Sequence, residues 1–124
     1  MREWHHFMSS SLPCCLVVDA DPESAKILAA IIASHGFETR IVPDAFAALR
    51  DLRVNRYDII VFDLSTHDGD AEFVLDMLRR DMPRVLDKVV IVTTNPIVSS
   101  DVTVGVPVVG KNDLKPLMRY INRD

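Results

Sequence analysis

A basic excess, a long apolar run and separated cysteines are all missing from this chain of 124 residues. Fourteen Lys and Arg stand against eighteen Asp and Glu, for a formal net charge of −4, and no basic cluster exceeds the pair Arg79-Arg80. A nucleic-acid interface needs clustered cations, so none is expected. The two cysteines, Cys14 and Cys15, are neighbours and cannot staple a fold. Without a disulfide framework, a reducing cytoplasmic setting is expected. No apolar run can cross a bilayer, and MREWHHFMSSSLP has no apolar core of a secretory signal, so no membrane is expected as a partner. Residues 1–13 are expected to be a tail, and 14–124 one domain with a single core.

What is present is a set of apolar runs that end in polar residues. In Tyr57–Asp70, YDIIVFDLSTHDGD, the unalternating Ile59-Ile60-Val61-Phe62 suits a strand buried on both faces, and it runs into Asp63. A carboxylate at such a position is costly unless something pairs with it. Cys15–Val18 is a second such run, ending at Asp19. Asp21-Pro22 then signals a helix start, with Ile27, Leu28, Ile31 and Ile32 at helical spacing and His35-Gly36 at its end. Glu38–Val42 reads as a more exposed strand. Pro43-Asp44 opens a helix to about Val54, with Phe46, Leu49 and Leu52 inward. Asp70–Met82 is a helix with Phe73, Val74, Met77 and Leu78 on one side. Lys88–Thr93 is a buried strand ending in hydroxyls, and Gly105–Val109 a fifth strand ending at Gly110-Lys111. From Asn95 to Val104 at most a short helix is expected. Asp113 starts a last helix with Leu114, Leu117, Met118 and Ile121 at i, i+3, i+4, i+7 spacing.

Strands alternating with helices predict an α/β fold, a doubly wound parallel sheet with helices on both faces. Asp19, Asp63, Thr93 and Lys111 each close a strand, so in such a sheet they share one edge, where α/β folds bind ligands. Two carboxylates, a hydroxyl and an ammonium there suit a divalent cation and a phosphoryl group. Thr93 is preferred to Thr94 because it directly ends the apolar run. Asp21 reads as a helix cap, as do Asp68 and Asp70, and His67 as a solvated loop residue.

VVDADPESAKIL, YDIIVFDLSTHDGD, VVIVTTN and VPVVGKNDLKPLMRYI together resemble the receiver (response-regulator) domain of two-component signalling, from Cys15 to Ile121. The resemblance implies a flavodoxin-like sheet of strand order 2-1-3-4-5. It implies Asp63 as the acceptor of a phosphoryl group from a histidine kinase or a histidine phosphotransfer protein. Asp19, Asp63 and the Ser65 backbone carbonyl would hold Mg2+, Thr93 would be the switch hydroxyl and Lys111 the phosphoryl-binding lysine. A homodimer is a further partnership it allows.

Three positions depart from the family's pattern. Ala20 stands where a second acid usually ligates magnesium directly, so weak metal binding is expected. Val108 replaces the aromatic switch residue. Asn112 replaces a proline whose preceding peptide is typically cis, and a non-proline cis bond costs about 3–4 kcal/mol. Lys115-Pro116 is no displaced copy of that pair, because it falls inside the last helix. The fourth helix of the family is expected to be short or degenerate. Two other readings stay open: a receiver-like module that signals by contact without phosphorylation, and an aspartyl-phosphate phosphatase of haloacid-dehalogenase type, suggested by Asp19-Ala20-Asp21. The phosphatase lacks room for its further acidic motif and cap, so no enzyme is expected. The residues name neither the kinase nor the output, and they leave open whether the chain is a piece of a larger regulator.

Overall fold

The computed structural model describes residues 12–65, 69–94, 103 and 105–122. Five strands, β1 (Cys14–Val18), β2 (Glu38–Val42), β3 (Ile59–Asp63), β4 (Val89–Thr93) and β5 (Val108–Gly110), pair in parallel in the order β2-β1-β3-β4-β5. This is the flavodoxin-like order anticipated above. Helices α1 (Pro22–Ala33), α2 (Ala45–Leu52), α3 (Gly69–Asp81) and α4 (Pro83–Leu86) connect the first four strands, and α5 (Lys115–Ile121) follows β5.

Burial on both faces accounts for the unalternating runs: every residue of β3 and β4 is buried. Ile60, Phe62, Val89 and Ile91 pack with Leu49, Val74, Leu75 and Leu78 of α2 and α3. Ile59, Val61, Val90 and Val92 pack on the other side with Leu28, Ile32, Leu117 and Ile121 of α1 and α5. Each such side chain contributes roughly 1.5–3 kcal/mol by leaving water. At the sheet edge, β2 keeps three of its five residues exposed.

Helix starts follow the local chemistry. The Asp21 carboxylate accepts from the Glu23 N–H at 3.1 Å ahead of Pro22, and Asp44 accepts from the Ala47 N–H at 2.8 Å. Beyond α1, Gly36 turns the chain with φ 95°, a left-handed conformation that favours glycine.

Several elements differ from expectation. Phe46 and Phe73 point outward, 39% and 50% exposed, and meet each other with ring centroids 6.0 Å apart and planes tilted by 45°. Ile27 is likewise 63% exposed and Ile31 half-buried. The reason is the same in each helix. Small residues set the buried stripe: Ala25, Leu28, Ala29 and Ile32 in α1, Ala45, Ala48, Leu49 and Leu52 in α2, Ala71, Val74, Leu75 and Leu78 in α3. Alanines let the helix axis approach the sheet, and the bulkier neighbours one position off are turned to the rim. The helix to Met82 ends at Asp81, and Pro83 starts a separate turn, α4, which the periodicity did not reveal. β5 begins at Val108 rather than Gly105 and runs to Gly110, because only from there does it pair with β4. The expected fourth helix, within 95–104, falls outside the described residues except for Thr103. The tail up to residue 11, His67 and Asp68 also fall outside them.

Candidate functional site

Sheet register brings the strand ends together. Val18 pairs with Phe62, so Asp19 and Asp63 stand side by side one residue on. Asp63 pairs with Val92, and Thr93 with Gly110, the residue before Lys111. Backbone hydrogen bonds continue past the strands, from the Asp19 N–H to the Val42 carbonyl (3.1 Å), Leu64 to Val92 (2.9 Å) and Lys111 to Thr93 (2.8 Å). The edge is therefore held right up to the candidate residues Asp19, Asp63 and Lys111.

Asp63 is buried, its side chain 1% exposed. Its Oδ1 accepts from the Ser65 N–H at 2.7 Å, and its Oδ2 accepts from the Lys111 Nζ. The same ammonium lies 3.7 Å from Asp19 Oδ2, while Asp19 Oδ1 accepts from the Asp21 N–H at 3.0 Å. One cation thus serves two buried carboxylates. Burial pushes both carboxyls up. At Asp63 it is outweighed by Lys111 and Ser65, which hold the group below its ordinary value. At Asp19 burial prevails over the Asp21 N–H, Asp63 adds to it, and the pKa is raised. The two carboxyls titrate together, and a proton entering this pair settles on Asp19, so Asp63 stays ionised.

Among the described residues, three buried side-chain oxygens lack a hydrogen-bond partner: Asp19 Oδ2, Ser24 Oγ and Ser65 Oγ. All three belong to this edge, Ser24 lying in the first turn of α1 beside Asp19. Such a group costs about 1–3 kcal/mol when left unsatisfied. These are the oxygens an ion, a water or a phosphoryl group would meet. Ser24 was not singled out in the sequence; its signal is its place on the turn that Asp21 caps.

Thr93 is buried at the end of β4 and Thr94 is exposed, as their order along the run implied. Val108 opens β5 half-buried, and Asn112 is exposed. The described residues contain no cis peptide, Lys111–Asn112 included. Pro116 lies in the first turn of α5, away from any strand end.

No family model matches the chain. It is 35% identical over 66 residues to the DNA-binding response regulator MtrA of Mycolicibacterium smegmatis, covering 53% of this chain and 29% of MtrA. The chain spans less than a third of the length of the curated relatives it matches. Among solved structures, the response regulator TrrA of Thermotoga maritima, in complex with Mg2+ and BeF, superposes with TM-score 0.78 at 20% identity, over 90% of this chain and 98% of that one. TrrA is also solved in complex with the histidine kinase ThkA. A sensor protein from Polaromonas sp. superposes with TM-score 0.75 at 27% identity, over 90% and 94%. The chain has the fold of a receiver domain.

Ala20 bears on whether this edge can hold a metal ion. Magnesium takes hard oxygens, uses one or two carboxylates and keeps several waters. Asp63, the Ser65 carbonyl and Asp19 Oδ2, which has no hydrogen-bond partner, fit such an ion. Ala20 offers no oxygen beyond its backbone, the Asp21 carboxylate is engaged with the Glu23 N–H, and no group of three or more His, Cys, Asp or Glu gathers for a metal among the described residues. The donors suit a water-rich, weakly held ion. Ala20→Asp is therefore expected to tighten magnesium binding about tenfold, a change of about 1.4 kcal/mol. Unit charges about 4 Å apart interact by roughly 4 kcal/mol at an effective dielectric of 20, so this asks for only part of the attraction. The metal-free domain should lose a little stability, having gained a third carboxylate. A calorimetric magnesium titration of wild type, Ala20→Asp and Asp21→Ala checks this. Equal affinity of wild type and Ala20→Asp sinks it, and loss of binding in Asp21→Ala would make Asp21 the replacement ligand.

Proposed function

We propose that this receiver domain accepts a phosphoryl group on Asp63 from a sensor histidine kinase or a histidine phosphotransfer protein, and works as a cytoplasmic signalling module rather than an enzyme. The observation that carries the reading is the Asp63 carboxylate, kept ionised by Lys111 beside three buried oxygens that accept no hydrogen bond. MtrA's name as a response regulator and TrrA's complex with a histidine kinase support it. No helix among the described residues is long and apolar enough to cross a membrane.

In the proposed step a carboxylate oxygen of Asp63 attacks the phosphorus of a phosphohistidine. The O–P bond forms, the P–N bond breaks, and its electron pair stays on the imidazole nitrogen. Ser65 N–H keeps the carboxylate oriented. Lys111 shifts from Asp63 Oδ2 to the arriving phosphoryl oxygens, and the Thr93 hydroxyl turns toward them from the end of β4. Magnesium, held by Asp19, Asp63 and the Ser65 carbonyl, would offset the phosphoryl charge.

Incubation with acetyl phosphate and magnesium, followed by intact mass, tests the proposal. A gain of one hydroxylamine-labile phosphoryl group is expected. No gain at any magnesium concentration overturns it in favour of a module that signals by contact, the reading that Ala20 favours. Steady turnover of a phosphate monoester would instead make the domain a phosphatase.

A further inference from the structure

At the opposite, N-terminal edge of the sheet, a cleft of about 430 Å³ lies between the α2–β3 connection and the start of β4. Its walls gather Arg53, Arg56, Arg84 and Lys88, and no Asp or Glu lines it, in a chain with eighteen acids and fourteen bases. Along the chain these cations form no basic run; the fold assembles them from two segments separated by β3 and α3. Among the described residues, no carboxylate pairs with Arg53, Arg84 or Lys88. The flanking acid Asp58 is turned to the Cys14 N–H, 2.8 Å away. The floor is fixed as well. Asp51, buried and paired with Arg40 Nε at 2.8 Å, accepts from the Tyr57 hydroxyl at 2.6 Å and the Asn55 amide at 2.9 Å, and Tyr57 and Asn55 both line the cleft.

We propose that this cleft binds a phosphate-bearing small molecule of nucleotide size. Like charges around one concavity repel, and an anion between them removes that repulsion. Guanidinium groups meet phosphate oxygens in paired hydrogen bonds. The volume falls within the roughly 300–1,000 Å³ of small-molecule sites. A concave cluster on a chain of net negative charge suits a compact polyanion over a strand of nucleic acid. The cleft lies at the other end of the sheet from Asp63, so the proposal stands apart from the acceptor reading.

The test is a titration of the full chain with ATP, without magnesium and at low salt, followed through amide resonances. Shifts at 53–57 and 84–88 that saturate below millimolar ATP are expected. They should weaken at least tenfold in the double variant Arg84→Glu, Lys88→Glu, and be unchanged in Asp63→Asn. Arg53→Gln with Arg84→Gln repeats the test without charge reversal and should weaken binding severalfold. Shifts confined to Thr93, Thr94 and Lys111, or equal in the charge variants, overturn the proposal. So do equal shifts from adenosine, which has no phosphate, or tighter binding of a single-stranded oligonucleotide than of ATP.

Discussion

Asp63→Asn is expected to take up no phosphoryl group from acetyl phosphate under conditions that label the wild type, while remaining folded. The substitution is nearly isosteric. The Asn side-chain oxygen can still accept from the Ser65 N–H, which meets Asp63 Oδ1 at 2.7 Å, so the turn after β3 keeps its anchor. What disappears is the charge, and with it the nucleophile: an amide oxygen does not attack phosphorus usefully. Lys111 then has one carboxylate partner instead of two, and Asp19, freed from Asp63's charge, should become more acidic. Intact mass after the reaction gives the answer, with circular dichroism confirming the fold. Labelling of Asp63→Asn at the wild-type level would move the acceptor elsewhere and undo the assignment of the edge.

Lys111→Met should produce the largest loss of stability of any single change at the site. It leaves Asp19 and Asp63 buried beside each other with no cation. Breaking a buried pair costs about 3–5 kcal/mol; the Lys111 side chain is 23% exposed, so about 2–3 kcal/mol is the expected loss at pH 7. The pH dependence has a definite sign. In the wild type the Asp63 pKa is depressed, so its contribution is present above the unfolded value of about 3.9 and lost as pH falls through the folded value. In Lys111→Met the largest influence opposing burial at Asp63 is gone and only hydrogen bonds such as that from the Ser65 N–H still counter it, so the pKa of the Asp19–Asp63 pair rises and the folded state holds a proton that the unfolded chain has lost. The deficit should therefore shrink as pH falls below neutral. Urea unfolding of both proteins at pH 7 and pH 5 decides it: an equal deficit at both would mean that Lys111 contributes packing alone.

The sheet and its edge were legible because burial on both faces erases the alternation of a strand, and because a charge at the end of such a run has no packing reason to be there. Helix faces were less so. Reading Phe46 as inward, and grouping Phe73 and Ile27 with the apolar stripes of their helices, weighed residues by size, whereas the sheet is approached through Ala25, Ala45, Ala48 and Ala71. Ser24 was invisible for a related reason: a serine in a first helical turn is ordinary until the fold sets it beside Asp19. The cations of the N-terminal cleft lie on two separated segments, and only the pairing of β3 with β4 makes them neighbours.

The shortness of β5 has a dynamic consequence. Of its three residues only Val109 is buried, among the described residues it pairs with β4 alone, and α5 behind it is seven residues long. Amide protons here should exchange with solvent faster than those of β1, β3 and β4, because segments with few buried contacts open without unfolding the rest. Lys111 rides on that segment. A local opening that spares the central strands should lift the ammonium from Asp63, so the carboxylate is expected to be uncovered at a frequency set by the fraying of one sheet edge rather than by the stability of the domain.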